Sequence, residues 1–337
     1  MKQETWSILN DPDLLQKRNE WFDKLKLLYE GKLENQILYL NGIYGYSSTN
    51  PYEEPEKWLD EALDDLAQYA EKLTDKNIFR PLCIEFGPYG VHFIDKIFGA
   101  RIYFDQTSRQ WYSEYIESPI GELQYPDLAR NETWNLAKRI AIAFIERKVT
   151  VPLFGLPTIA SVLNIAVNLY GQRFLEELCL APDKAKHDMD IINKLLVDIH
   201  RWYLQHMPLY QLQPVISGHR TQPPGFGQLC GCTTQLISPD MYRELIAPFD
   251  SELLSVYPHG GMIHLCGRHT QHIPIWKEMK PLRAVQLNDR AAEDLEAYFN
   301  GLREDQIIYL NPTDTMTADR AIKITGGKRL VLVTEIR

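Results

Sequence analysis

No run of about 18 consecutive apolar residues occurs in this chain, so nothing in it reads as a membrane-spanning helix. Met1 to Asn10 is polar and leads into a charged stretch, unlike the basic-then-apolar pattern of a secretory leader. Cysteine is scarce. The five residues Cys83, Cys179, Cys230, Cys232 and Cys266 are odd in number and scattered. That argues against a disulfide framework and for a reducing, cytoplasmic setting, in which a special cysteine acts as ligand or nucleophile. There is no basic block, and the net charge is −9, which excludes a general nucleic-acid or anionic-membrane surface. Neither GxGxxG nor a phosphate-cradling loop is present. No low-complexity segment and no linker divides the chain.

What is present is a globular composition, with 337 residues, 45% hydrophobic and 24% charged. That length suits two ordinary domains or one large α/β barrel. Apolar spacing predicts a helix over 11–31, a strand at Ile37–Leu40, and a helix over 55–74 with Pro55 in its first turn. A strand is expected at Leu82–Phe86, then an irregular insertion with a hairpin to about residue 127. A helix over 130–147 and a strand at Val149–Phe154 follow. Two or three helices fill 158–206, with a break at Pro182-Asp183. Gln213–Ser217 reads as a strand ending at Gly218-His219-Arg220, and a loop with Pro223-Pro224-Gly225 and Cys230-Gly231-Cys232 follows. Ser238-Pro239-Asp240 opens a helix, with Ser as cap and Pro at the first position.

From there the pattern is regular. Strands begin near Gly261, Arg283, Gln306 and Arg329, 22–23 residues apart, with a helical segment between each pair. These are βα units, and the earlier strands bring the count to eight. The predicted fold is therefore an α/β (β/α)8 TIM barrel, with an open α/β sheet as the alternative. We read 1–337 as one domain, with a helical N-terminal extension over about 1–75.

The chain is organised around Gly260-Gly261-Met262-Ile263-His264-Leu265-Cys266-Gly267. On a strand, His264 and Cys266 point to the same face, so an imidazole nitrogen and a sulfur converge. Zinc accepts both. The alternative is a core histidine beside a small buried cysteine. In a (β/α)8 barrel the chemistry sits at the C-terminal strand ends. Glu85, His219, Asn288-Asp289, Asn311 and Glu335 fall at such ends, and Arg220, Arg268 and Arg290 are rim cations.

Ser238-Pro239-Asp240-Met241-Tyr242-Arg243-Glu244-Leu245-Ile246-Ala247-Pro248-Phe249, followed by Met262–Gly267, resembles the uroporphyrinogen decarboxylase superfamily. It is most similar to the branch of cobalamin-dependent, zinc-dependent thiol methyltransferases. Phe154-Gly155-Leu156-Pro157 and Gly171–Leu178 are similar to that superfamily's middle region. The resemblance spans about 80–337, is strongest over 238–267, and itself implies a (β/α)8 barrel.

It also implies a zinc-dependent transfer of a methyl group from methylcobalamin, carried on a separate corrinoid protein, to a small-molecule thiol. A homodimer is a further implication. His264 and Cys266 carry over as zinc ligands. The branch supplies another cysteine after the last strand, and none follows Cys266 here, so Glu335 stands in its place. Cys230 and Cys232 are alternative ligands or plain loop packing. His219, Asp289 and His269 are candidates for supporting the ligands or handling protons. Two other readings remain open. One is a decarboxylase-like lyase on a tetrapyrrole carboxylate, for which Leu38–Tyr46 lacks the expected arginine. The other is a non-catalytic barrel that holds a tetrapyrrole or a thiol.

Overall fold

The structure is a computed structural model that describes residues 1–334. Strand β1 (Ile37–Leu40) runs on past Asn41-Gly42 into β2 (Ile43–Tyr44), and β3 (Ile78–Phe79) runs past Arg80-Pro81 into β4 (Leu82–Glu85). An antiparallel hairpin follows, β5 (Ile102–Asp105) with β6 (Gln110–Ser113). Next come β7 (Leu153–Gly155), β8 (Leu212–Gln213), β9 (Gly227–Cys230), β10 (Gly261–Leu265), β11 (Leu282–Leu287), β12 (Ile307–Leu310) and β13 (Leu330–Val333).

Apart from the hairpin, these strands pair in parallel, in two ladders. One has the order β3-β1-β13-β12-β11-β10-β9 and the other β2-β4-β7-β8. Runs such as Leu330–Val333 are buried at every position, as expected where helices cover a parallel sheet. The buried apolar side chains form one cluster between sheet and helices.

Two of the helices open on a side-chain cap followed by proline. Asp11 accepts from the backbone N–H groups of Asp13 and Leu14 at 2.8 and 3.1 Å, and Pro12–Tyr29 follows. Ser238 accepts from Met241 N at 3.2 Å, with Pro239 in the first turn. Pro248 then brings no N–H to the helix, and Tyr242–Ile246 widens into a π-turn before Ala247–Ser255 continues. Among the described residues, no helix is long and apolar enough to cross a membrane.

The α/β class expected from the sequence is present. The arrangement is mixed α/β with a mostly parallel sheet, and no backbone ladder joins β8 to β9 among the described residues. Both are edge strands, consecutive in sequence. Side chains link the two instead: Gln213 Nε2 donates to Gln222 O and its Oε1 accepts from Gln222 N, both at 3.0 Å, and Gln222 Nε2 donates to Gly227 O of β9 at 2.8 Å. The expected strand at 213–217 is cut short at Gln213, and Ser217–Arg220 is a helical turn instead. The expected strand over 149–154 narrows to β7. The carbonyls of Val149 and Pro152 accept from Gln211 Nε2, and that of Val151 from buried Arg18, so they need no ladder.

Candidate metal centre

Parallel register builds the centre. Cys230 of β9 lies beside His264 of β10, which lies beside Gln286 of β11, which lies beside Tyr309 of β12. Paired residues in a parallel sheet project to the same face, so these four side chains form one row across the strand ends. Gly231 N donates to His264 O at 2.9 Å, extending the ladder by one bond and carrying the chain into the turn Cys232–Leu236. Cys232 therefore folds back over Cys230, and their sulfurs lie 3.5 Å apart. The ligand atoms of Cys230, Cys232 and His264 all lie within 4.8 Å of one another.

The turn bearing Cys232 is braced from three sides. Thr234 Oγ1 donates to Gly231 O at 2.8 Å and lies 3.1 Å from His269 Nδ1. His272 Nε2 donates to Thr234 O at 2.9 Å. From the helix Val162–Tyr170, Asn164 accepts from Thr233 N at 3.0 Å and points its Nδ2 at Cys230 Sγ, 3.9 Å away.

Behind His264 the polar partners decide its tautomer. Gln286 Nε2 donates to Asn311 Oδ1 at 2.6 Å, which turns Gln286 Oε1 towards Arg220 and His264. That oxygen accepts from Arg220 Nε and lies 2.6 Å from His264 Nδ1. It has only lone pairs to offer, so His264 donates from Nδ1 and keeps a lone pair on Nε2. Burial, with Arg220 nearby, lowers His264 to about 3, so the ring is neutral at pH 7.

Cys232 lies between the sulfurs of Cys230 and Cys266, and either partner of the Cys230–Cys232 pair can donate. This raises Cys232 and lowers the other two, with the buried Arg220 guanidinium adding to the effect on Cys230. Two thiols and a neutral imidazole suit a borderline-soft cation such as zinc.

Glu85, at the end of β4, accepts from Ser217 N at 2.9 Å and from its hydroxyl at 3.2 Å. Burial pushes its carboxyl up, against these bonds and Arg220.

Of the residues singled out from sequence, His264 is at the centre, and Cys266 stands at its edge in contact with Cys232. Glu335 lies outside the described residues. Asp289 is exposed, with φ of 46°, and faces Cys266. His219 is half-buried against Tyr44, and burial lowers it. His269 is buried behind the Cys232 turn. Arg268 is exposed, and Arg290 pairs with Asp294. Gln286 was missed, although a lone polar residue inside the apolar run Ala284–Leu287 was its signal.

No protein-family profile matches the chain, and no curated protein matches it in sequence. Among solved structures, a methyltransferase from Methanosarcina mazei aligns with it at a TM-score of 0.58 and 12% identity. The alignment covers 93% of this chain and 92% of that one. The chain has the fold of that methyltransferase. The likeness is one of architecture.

Proposed function

We propose that the chain is a methyltransferase that delivers a methyl group to a thiol held at a zinc centre of Cys230, Cys232 and His264. The convergence of those three ligand atoms is the observation that carries this reading. Zinc bound there would lower the pKa of a thiol in the remaining position, so that it reacts as thiolate at neutral pH. Gln286 holds the His264 ring with Nε2 forward, and Arg220 offsets the negative charge that gathers on the sulfurs. The Thr234–His269 brace keeps Cys232 over Cys230. Asp289 and His219 flank the mouth as proton-handling groups.

The donor in this reading is a methylated corrinoid on a partner protein, as the family resemblance implies. The reading also takes the two ladders as arcs of one (β/α)8 ring, with Gln213 bridging the seam.

The test is elemental analysis of tag-free protein beside the Cys230→Ala/His264→Ala variant, followed by methylcobalamin with a panel of thiols. About one zinc per chain in the parent, lost in the folded variant, with methylated thiol formed only by the parent, is the expected result. A parent that takes up no zinc even when it is supplied overturns the reading.

A further inference from the structure

A cavity of about 540 Å³ lies at the opposite end of the strands from the metal centre. Phe226, His259 and Arg283 bring it to the starts of β9, β10 and β11, and Tyr210 brings it to the start of β8. The helix Pro12–Tyr29 supplies the other wall through Phe22 and Tyr29. Rings therefore line it on both sides. The centroids of Tyr29 and Phe226 are 4.7 Å apart, and those of Phe226 and His259 are 5.4 Å apart. These walls are fixed in place. The Tyr29 hydroxyl donates to Gln222 Oε1 at 3.2 Å. Gly225, with φ of 89°, accepts from His259 N at 3.1 Å, and a Cβ there would fall 2.9 Å from the His259 ring.

Charge narrows what such a cavity takes. Two cations share its lining, Lys26 and Arg283. The Arg283 guanidinium lies 5.9 Å from the Phe226 centroid, donates from Nη2 to Tyr29 O at 3.3 Å, and meets Asp305 through Nε at 3.4 Å. Its Nη1 makes no hydrogen bond among the described residues. Asp23 and Glu30 also line the cavity, and Glu30 is already paired with Lys32 at 2.9 Å. The two cations thus face a single unpaired acid, which suits one negative charge and disfavours a polyphosphate. A concave site of this size, with apolar walls and a few placed polar groups, is the usual form of a small-molecule site. A flat ring gains offset or edge-on contact with aromatic walls, and a carboxylate gains charge-assisted bonds from a guanidinium. We infer that this cavity is a second ligand site, for a small aromatic acid of one or two rings carrying a single carboxylate. The ring lies among Phe22, Tyr29, Phe226 and His259, and the carboxylate meets Arg283 Nη1 with Lys26 beside it. The site shares no residue with Cys230, Cys232 and His264 and stands independently of the zinc reading.

The experiment is calorimetric titration of the full-length protein with 2-naphthoate, beside its uncharged analogue 2-naphthamide. Asp23 is exposed on its helix, so Asp23→Trp fills the cavity from the outside and leaves the core intact. The parent should bind one 2-naphthoate, and should bind 2-naphthamide roughly tenfold more weakly, the worth of a charge-assisted hydrogen bond. Asp23→Trp should abolish binding. Arg283→Gln should bring 2-naphthoate down to the level of the amide; if that variant does not fold, the acid–amide comparison in the parent carries the charge test alone. A parent that binds no 2-naphthoate at millimolar concentration overturns the inference. Undiminished binding in Asp23→Trp puts the ligand elsewhere and also overturns it. Equal affinity for acid and amide shows a pocket for rings without an anion site, and the ligand class falls. A concentration-dependent dimer of the parent that Asp23→Trp abolishes would show that a second copy fills the cavity, which overturns it too.

Discussion

Gln286 Oε1 lies 2.6 Å from His264 Nδ1 and accepts from Arg220 Nε at the same distance. One amide oxygen thus sets the imidazole tautomer and anchors a buried guanidinium. The Gln286→Leu variant keeps the shape of the strand and removes that acceptor. Partners that orient a metal ligand in this way typically contribute 10–100-fold to metal affinity. Zinc competition with a chromophoric chelator should therefore show a loss of about that size, with the far-UV spectrum unchanged. Unchanged affinity would show that another group orients the ring.

Thr234→Val tests the brace on the Cys232 turn. It preserves volume and deletes the bonds to Gly231 O and His269. A buried hydrogen bond contributes about 1 kcal/mol. We expect that loss in urea unfolding, together with several-fold faster zinc release to chelator.

Gly227 and Gly261 are paired where β9 meets β10. A Cβ on Gly227 would lie 2.1 Å from the Tyr257 ring, which is buried and tied by its hydroxyl to His200 Nδ1 at 2.6 Å. Gly227→Ala should destabilise the protein by about 1–3 kcal/mol, the usual range for overpacking. Because β9 carries Cys230, zinc stoichiometry should fall as well. A thermal midpoint equal to the parent's would mean that the strand shifts freely.

Asp250 is buried, accepts from Tyr242 Oη at 2.9 Å, and is pushed by burial up to about 7. Its folded state holds the proton more tightly than the unfolded chain, whose value is near 3.8. Its contribution to stability is therefore full below about pH 4 and is lost as pH rises to about 7, after which it stays flat. Between those two values, stability falls by about 1.4 kcal/mol for each step of one in pH. Asp250→Asn should flatten the difference curve over that interval and be the more stable protein at pH 8. Parallel curves for parent and variant would contradict this.

Much of the frame was legible in the sequence, because long apolar periods and caps report directly on burial. The helix at Pro12–Tyr29, the hairpin in the insertion and the strands from Gly261 onward all lie where those signals put them. The centre was legible only in half. His264 announces itself inside an apolar strand, but β9 reads Gly-Gln-Leu-Cys, four residues opened by a glycine, which carries no strand signal. Without β9 there is no register to set Cys230 beside His264, and Cys230-Gly231-Cys232 looks like loop. The pairing is a long-range fact that no local pattern encodes. The seam beside it was hidden for a related reason: Gln213 makes ladder-like bonds with a side chain, and periodicity describes backbones.

That seam has a mechanical consequence. Cys230 and His264 hang from one ladder, while Arg220 follows the strand on the other side of the gap. Any breathing along the gap carries the two ligands as a rigid pair, with their spacing unaltered. The Arg220 guanidinium stays with them, because Gln286 Oε1, on the same ladder, holds it. The strand ends can part along the seam while the two side chains and the positive charge beside them keep their spacing.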